Sequence, residues 1–194
     1  MSASHSRRLT LAGVFATALL WARLGAAEAE SVPIGLQVQL LAKVASYDRN
    51  MAARGSGRLR IALVSREGNA DSERATTQLT AKLRETSLVG GLPHDDVVVK
   101  FTTAAALAAA CRSEHFAIVY FTPGFQDDLP AIRAAFNGVS VLTVATVASY
   151  VPGGIVLGFD TVSAKPKLLF HVTQARLQDV AMSTEVVRLM TVFE

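Results

Sequence analysis

Four short apolar runs, each followed or preceded by a helical stretch, constrain this chain more than any other feature. They occupy residues 59–64, 97–101, 116–121 and 139–144. Continuous apolar, β-branched runs of this length suit strands buried on both faces. Between them lie a helix capped by Asp71 and running to Thr86, an alanine-rich helix from Thr103 to Cys111, and a helix over 125–136. Thr102 or Thr103 can cap the alanine-rich helix. Gly90-Gly91-Leu92-Pro93, Pro123-Gly124 and Asn137-Gly138 supply the breaks. The pattern predicts an α/β fold with a mostly parallel central sheet covered by helices. Right-handed crossovers narrow it to a Rossmann- or flavodoxin-like sandwich.

The flanks differ. Residues 34–51 carry a wide apolar helical face through Ile34, Val38, Leu41 and Ala45, ended by the glycines at 55 and 57. Residues 155–161 and 165–171 flank Val162-Ser163-Ala164 and predict a C-terminal antiparallel hairpin. Two terminal helices follow, over 173–182 and 183–193, the second with Ser183 as its cap.

The first 29 residues read as an export signal. Arg7 and Arg8 precede an apolar stretch from Leu9 to Trp21, and the segment ends on Ala27-Glu28-Ala29. The run is too short to span a bilayer. Ser6-Arg7-Arg8-Leu9-Thr10-Leu11 partly matches a twin-arginine signal. No cysteine near the cleavage site suggests a lipid anchor. The expectation is a soluble periplasmic protein with one domain over 30–194 and no membrane insertion after cleavage. Cleavage removes three arginines and one glutamate from 19 basic and 16 acidic residues, leaving a net charge of +1. That balance argues against nucleic acid as a partner.

Little in the chain points to catalysis. No nucleophile elbow, Walker loop or dinucleotide fingerprint is present. Cys111 is the only cysteine, so an intrachain disulfide is impossible, and it reads as a small buried hydrophobe. His94, His115 and His171 lack metal-ligand spacing; no metal or cofactor is expected. Asp127 and Asp128 sit at a helix start, where negative charge is favourable. Asp95 and Asp96 read as a solvated strand entry.

Two candidate binding regions remain. Open parallel sheets bind ligands beyond the carboxyl ends of their strands. Those ends supply residues 65–69, 122–124 and 145–149, so a solute site would draw on Ser65, Asn69, Thr122 and Gly124, with Asp71 near the helix start. Tyr150-Val151-Pro152-Gly153-Gly154 could present a rigid apolar patch to a protein partner. Ordinary loop and cap chemistry is the alternative for both.

The order of elements also resembles the YfiR-like family of bacterial periplasmic proteins. The residues that carry it are Val141-Leu142-Thr143-Val144, Gly153-Gly154-Ile155-Val156-Leu157-Gly158-Phe159, Lys167-Leu168-Leu169-Phe170-His171, Gln174-Ala175-Arg176 and Ser183 through Met190. Leu40-Leu41-Ala42-Lys43-Val44-Ala45 is similar to the family's opening helix. The chain departs from the pattern at Tyr47-Asp48-Arg49-Asn50, where an aromatic-Trp-Pro ending is common, and at His171, where an Asn is common. Its single Cys111 cannot form the family's cysteine pairs. The resemblance implies a noncatalytic regulator that contacts the periplasmic part of a membrane sensor or diguanylate cyclase and tunes cyclic-di-GMP signalling and biofilm behaviour. Homodimerisation stays open. The second reading is a small solute-binding protein serving a transporter or sensor.

Overall fold

The computed structural model describes residues 32–194, so the expected export segment lies outside the described residues. Helix α1 (Ile34–Val44) and a short α2 (Met51–Gly55) lead into β1 (Leu59–Ser65). Then come α3 (Ala70–Arg84), β2 (His94–Lys100), α4 (Ala104–Ser113), β3 (Ile118–Phe121), α5 (Leu129–Ala135) and β4 (Leu142–Ala145). The hairpin β5 (Leu157–Val162) and β6 (Lys165–His171) follows, then α6 (Val172–Leu177), α7 (Thr184–Val187) and β7 (Thr191–Phe193). The seven strands form one sheet in the order β2-β1-β3-β4-β5-β6-β7. Strands β1 to β5 run parallel, β6 is antiparallel to β5, and β7 is parallel to β6. This is the α/β sandwich that the apolar runs predicted.

The two-residue period of each strand divides the core in two. Ile61, Leu63, Ile118 and Tyr120 join a cluster with α1, α3, α6 and α7. Ala62, Val64, Val119 and Phe121 join a second cluster with α4 and α5. Each face of the sheet is thereby sealed by its own helices, which is why the central strands lack polar alternation. On the α4–α5 side, Phe121 meets Phe125 and Phe136 edge-on at centroid separations of 5.6 and 6.0 Å.

Several local expectations are corrected. The first helix does not run to Met51; it ends at Val44, passes through a 3-10 turn at Ala45–Tyr47 and restarts at Met51. Asp48 causes the break. Its extended backbone bridges Met182, and its carboxylate accepts from the Asn50 and Ala181 amides at 3.1 and 2.9 Å. Asn69, not Asp71, caps α3, its side-chain oxygen accepting from the Ser72 amide at 2.9 Å. Thr103 caps α4 by the same chemistry. The terminal helices are shorter than expected: α6 stops at Leu177 and α7 has four residues. The chain then turns into β7, pairing Val192 with Phe170. Ser183 holds the position before α7 without a side-chain cap bond. Val186 and Met190 still enter the core, as their spacing predicts.

The hairpin turn is a two-residue link in which Ser163 and Ala164 both have positive φ, 51° and 58°. Two consecutive left-handed residues define the mirror-image turn that suits the twist of paired strands, and Asn-Gly is its preferred sequence. Replacing Ser163-Ala164 with Asn-Gly should therefore raise the unfolding free energy by about 1–2 kcal/mol. Urea unfolding of the paired variant against the parent checks this; an unchanged or lower midpoint would contradict it.

Candidate functional site

The switch point of the sheet lies between β1 and β3, because β1 leads to α3 on one face and β3 leads to α5 on the other. A crevice at the carboxyl ends of such strands is the usual ligand position. Here that crevice is filled by the chain itself. Arg66 lies over the rings of Phe125 and Phe101, 4.7 and 5.4 Å from their centroids, and its guanidinium pairs with Asp128. The Ser72 hydroxyl meets the Thr122 hydroxyl at 2.6 Å, and the Thr122 hydroxyl donates to the Val64 carbonyl at 2.7 Å. Gly124 has φ +98°, and a Cβ there would stand 2.8 Å from the Asn69 amide nitrogen, so a side chain would displace the α3 cap.

The four predicted solute residues therefore form part of a packed joint. Ser65 and Thr122 are buried, Asn69 caps a helix, and Gly124 lies against Asn69. The same joint absorbs the predicted partner segment. Tyr150 is buried, and its hydroxyl oxygen accepts from the Phe125 amide at 2.8 Å. Burial raises the Tyr150 phenol above its ordinary range, with the Phe125 and Gly124 amides acting against that rise. Val151 is fully buried, and Pro152 is exposed. Gly153 abuts Leu129. Gly154, at φ +110°, abuts the Arg133 side chain so closely that a Cβ would fall 2.8 Å from it. The segment thus anchors the β4–β5 link to α5, with Pro152 alone fully outside.

An open cleft stands beside this joint, further along the same edge of the sheet. It has a volume of about 540 Å³. Its walls are the start of α1 (Val32, Pro33, Ile34), the exposed face of α3 (Asp71, Arg74, Gln78), the β4 end at Thr146–Ser149, and Phe159 with Asp160 on β5. This is within the size range of small-molecule sites, which are mostly apolar with a few placed polar groups. Residues 145–149 and Asp71 were legible as strand-end and helix-start candidates. Gln37, Phe159 and Asp160 were not. The available signal was Gln37, a polar residue on the apolar face that Ile34, Val38 and Leu41 define.

Gln37 sets the floor of the cleft. It is 1% exposed, donates to the Val32 and Thr146 carbonyls at 2.7 and 3.3 Å, and accepts from the Tyr120 hydroxyl at 2.9 Å. These bonds fix the start of α1 against the ends of β3 and β4. Asp71 and Arg74 pair across the wall at 2.8 Å.

A second hollow, of about 550 Å³, lies at the opposite edge of the sheet. Ser56, His115 and Asp179 line it with positive φ values of 44°, 54° and 54°. Each follows the end of a helix, so their left-handed backbone is C-capping geometry. Arg54 fills the polar side, bonding to Asp48, Ser140 and the Asp179 carbonyl at 2.5, 3.1 and 2.6 Å. Cys111 in the same wall is buried, and desolvation pushes its thiol up to about 12, the opposite of an activated nucleophile. Among the described residues no group of three or more metal-binding side chains converges. No helix among them is long and apolar enough to cross a membrane.

His171 is fully buried and caps α6, its Nδ1 accepting from the Gln174 amide at 3.3 Å. The ring proton then resides on Nε2, which has no partner among the described residues. Burial lowers the His171 pKa below 6.5, and Arg133 adds to the effect. A second proton on Nδ1 would also face the Gln174 N–H. A depressed pKa means that the unfolded chain binds the proton first. Stability should thus be fully present above pH 6.5 and fall as pH drops toward the folded pKa, by up to about 1.4 kcal/mol per pH unit. His171→Asn keeps a capping acceptor and removes the titration. Urea midpoints at pH 7.5 and 5 should separate less in this variant than in the parent; an equal separation would contradict the assignment.

No family model and no curated protein matches the chain. Solved structures do. A conserved domain protein from Vibrio cholerae aligns over 84% of this chain with TM-score 0.59 and 13% identity. An ABC domain from Streptococcus pneumoniae in complex with L-Trp aligns over 78% with TM-score 0.51 and 8% identity. A ligand-free, open substrate-binding protein with adhesive properties from Clostridium difficile aligns over 75% with TM-score 0.57 and 8% identity. The chain spans 60%, 62% and 57% of their respective lengths. At these identities the likeness is one of fold.

Proposed function

We propose that this protein is a noncatalytic binding protein that holds a small solute in the cleft between α1, α3 and the ends of β3 to β5. The observation that carries the reading is the cleft itself: it is open, mostly apolar and built on rigid elements at the carboxyl edge of a parallel sheet. Of the similar folds, one is an ABC domain in complex with L-Trp and another is a substrate-binding protein, which supports the same reading. A noncatalytic role is in keeping with a cysteine and a Tyr120 phenol whose burial drives them away from reactivity. The test is thermal unfolding against a broad panel of metabolites. At least one solute should raise the midpoint at millimolar concentration or below; a panel without a shift would discard the reading.

The resemblance to YfiR-like proteins supports a further role for the same molecule: regulating a membrane sensor or diguanylate cyclase from the periplasm. The observation favouring it is the C-terminal block, where the hairpin, α6 and α7 follow in the order the resemblance implies. His171 fits as well, since its Nδ1 accepts the bond that an Asn cap would accept. A pull-down from membranes with the protein as bait should recover an inner-membrane sensor; recovery of none would argue against this role.

A further inference from the structure

The polar side chains that line the cleft, the exposed Gln78 apart, are already engaged within the protein. Both Gln37 amide hydrogens go to the Val32 and Thr146 carbonyls, and its oxygen accepts from the Tyr120 hydroxyl. The Thr146 hydroxyl donates to the Phe121 carbonyl at 3.2 Å, and the Ser149 hydroxyl donates to the Gln126 side-chain oxygen at 3.3 Å. Asp71 and Arg74 pair at 2.8 Å, and both are exposed. Asp160 alternates onto the sheet face away from Phe159 and stands opposite Lys167 in the β5–β6 register. Among the described residues, the buried side-chain atoms without a hydrogen-bond partner belong to Arg66, His94, His171 and Gln174, none of which lines the cleft. What the walls leave for a ligand is apolar: Val32, Ile34, Ala75, Pro123, Ala148 and Phe159.

We infer that the ligand of this cleft is an uncharged small molecule with an aromatic or aliphatic body, selected by burial of apolar surface and not by an ion pair. The inference rests on the solute-binding reading above and narrows its ligand class. A charged ligand would leave water for walls whose own charges are paired, and an uncompensated ion is costly to bury. The start of α1 also borders the cleft, and a helix start favours an anion. That pole amounts to about half an elementary charge, less than is needed to offset the desolvation of an ion.

Binding of three probes with the same aromatic body tests this on the full chain. They are neutral 2-phenylethanol, cationic 2-phenylethylamine and anionic 3-phenylpropionate, titrated calorimetrically. The alcohol should bind about tenfold more tightly than either ion. Its binding should show the negative heat-capacity change of apolar burial, and its affinity should not weaken with added salt. Ala148→Asp places a carboxylate in the half-buried wall and should reverse the order, with the amine ahead of the alcohol. The probe series on the parent chain decides the matter if that variant fails to fold. An amine or propionate that binds as tightly as the alcohol would overturn the uncharged class while leaving the solute cleft in place. An order that survives Ala148→Asp would overturn it too, as would no binding of the alcohol at millimolar concentration. The solute-binding reading falls only if the wider metabolite panel also shows no ligand.

Discussion

Replacing Asp48 with alanine is expected to lower the unfolding free energy by about 3–5 kcal/mol. Asp48 is buried, and its carboxylate serves three partners on two distant parts of the chain. Removing it leaves the Arg54 guanidinium, whose side chain is 5% exposed, without its counter-charge. The Asn50 and Ala181 amides lose an acceptor at the same time, and buried donors without partners are costly. In a domain of this size the loss corresponds to a fall in melting temperature of about 10 °C. Asp48→Asn should cost less, because an amide oxygen can still accept from the two backbone amides. Urea unfolding of the three proteins reads the effect. A cost below about 1 kcal/mol for the alanine variant would show that this joint does not hold α1, α2 and the segment after α6 together.

The second large effect concerns the cleft. Ala148 is half-buried in its wall, in a 3-10 turn over Ala148–Tyr150. Ala148→Trp should fill much of the apolar volume and weaken any solute found by thermal shift at least tenfold, a loss of about 1.4 kcal/mol or more. Because Ala148 faces the opening, the unliganded melting temperature should move by only a few degrees. Ala109→Trp, on the exposed side of α4 and outside the cleft walls, is the matched control and should leave affinity unchanged. Retained affinity in Ala148→Trp would place the solute elsewhere.

The fold was legible where burial decides sequence. The runs at 59–64 and 116–121 became β1 and β3 because strands sealed on both faces need unbroken apolar side chains. The hairpin was legible from its two runs and short link, although Ser163-Ala164 lacks the usual Asn-Gly. The helix break at Asp48 was not legible, since its cause is the Ala181 amide, 133 residues away. Nor was β7: Thr191-Val192-Phe193 continues a helical spacing, and only β6 beside it converts it to a strand.

The site was half legible for a similar reason. The strand-end rule pointed to the edge of the sheet where the cleft lies, and of its candidates Asp71 and residues 146–149 line that cleft. It placed the opening at Ser65, Asn69, Thr122 and Gly124, where Arg66 lies against two aromatic rings and pairs with Asp128. That filling depends on Phe101, Phe125 and Asp128, which approach from two different strand ends. Ile34, Gln37, Phe159 and Asp160 come from α1 and β5, elements whose adjacency no local pattern records.

Amide chemical-shift mapping with the strongest solute from the panel tests the central claim most directly. The account predicts that perturbed amides cluster at residues 32–37, 71–78, 146–149 and 159–160, around the cleft. Perturbations confined to residues 53–56, 111–116 and 139–140, which line the opposite hollow, would contradict it.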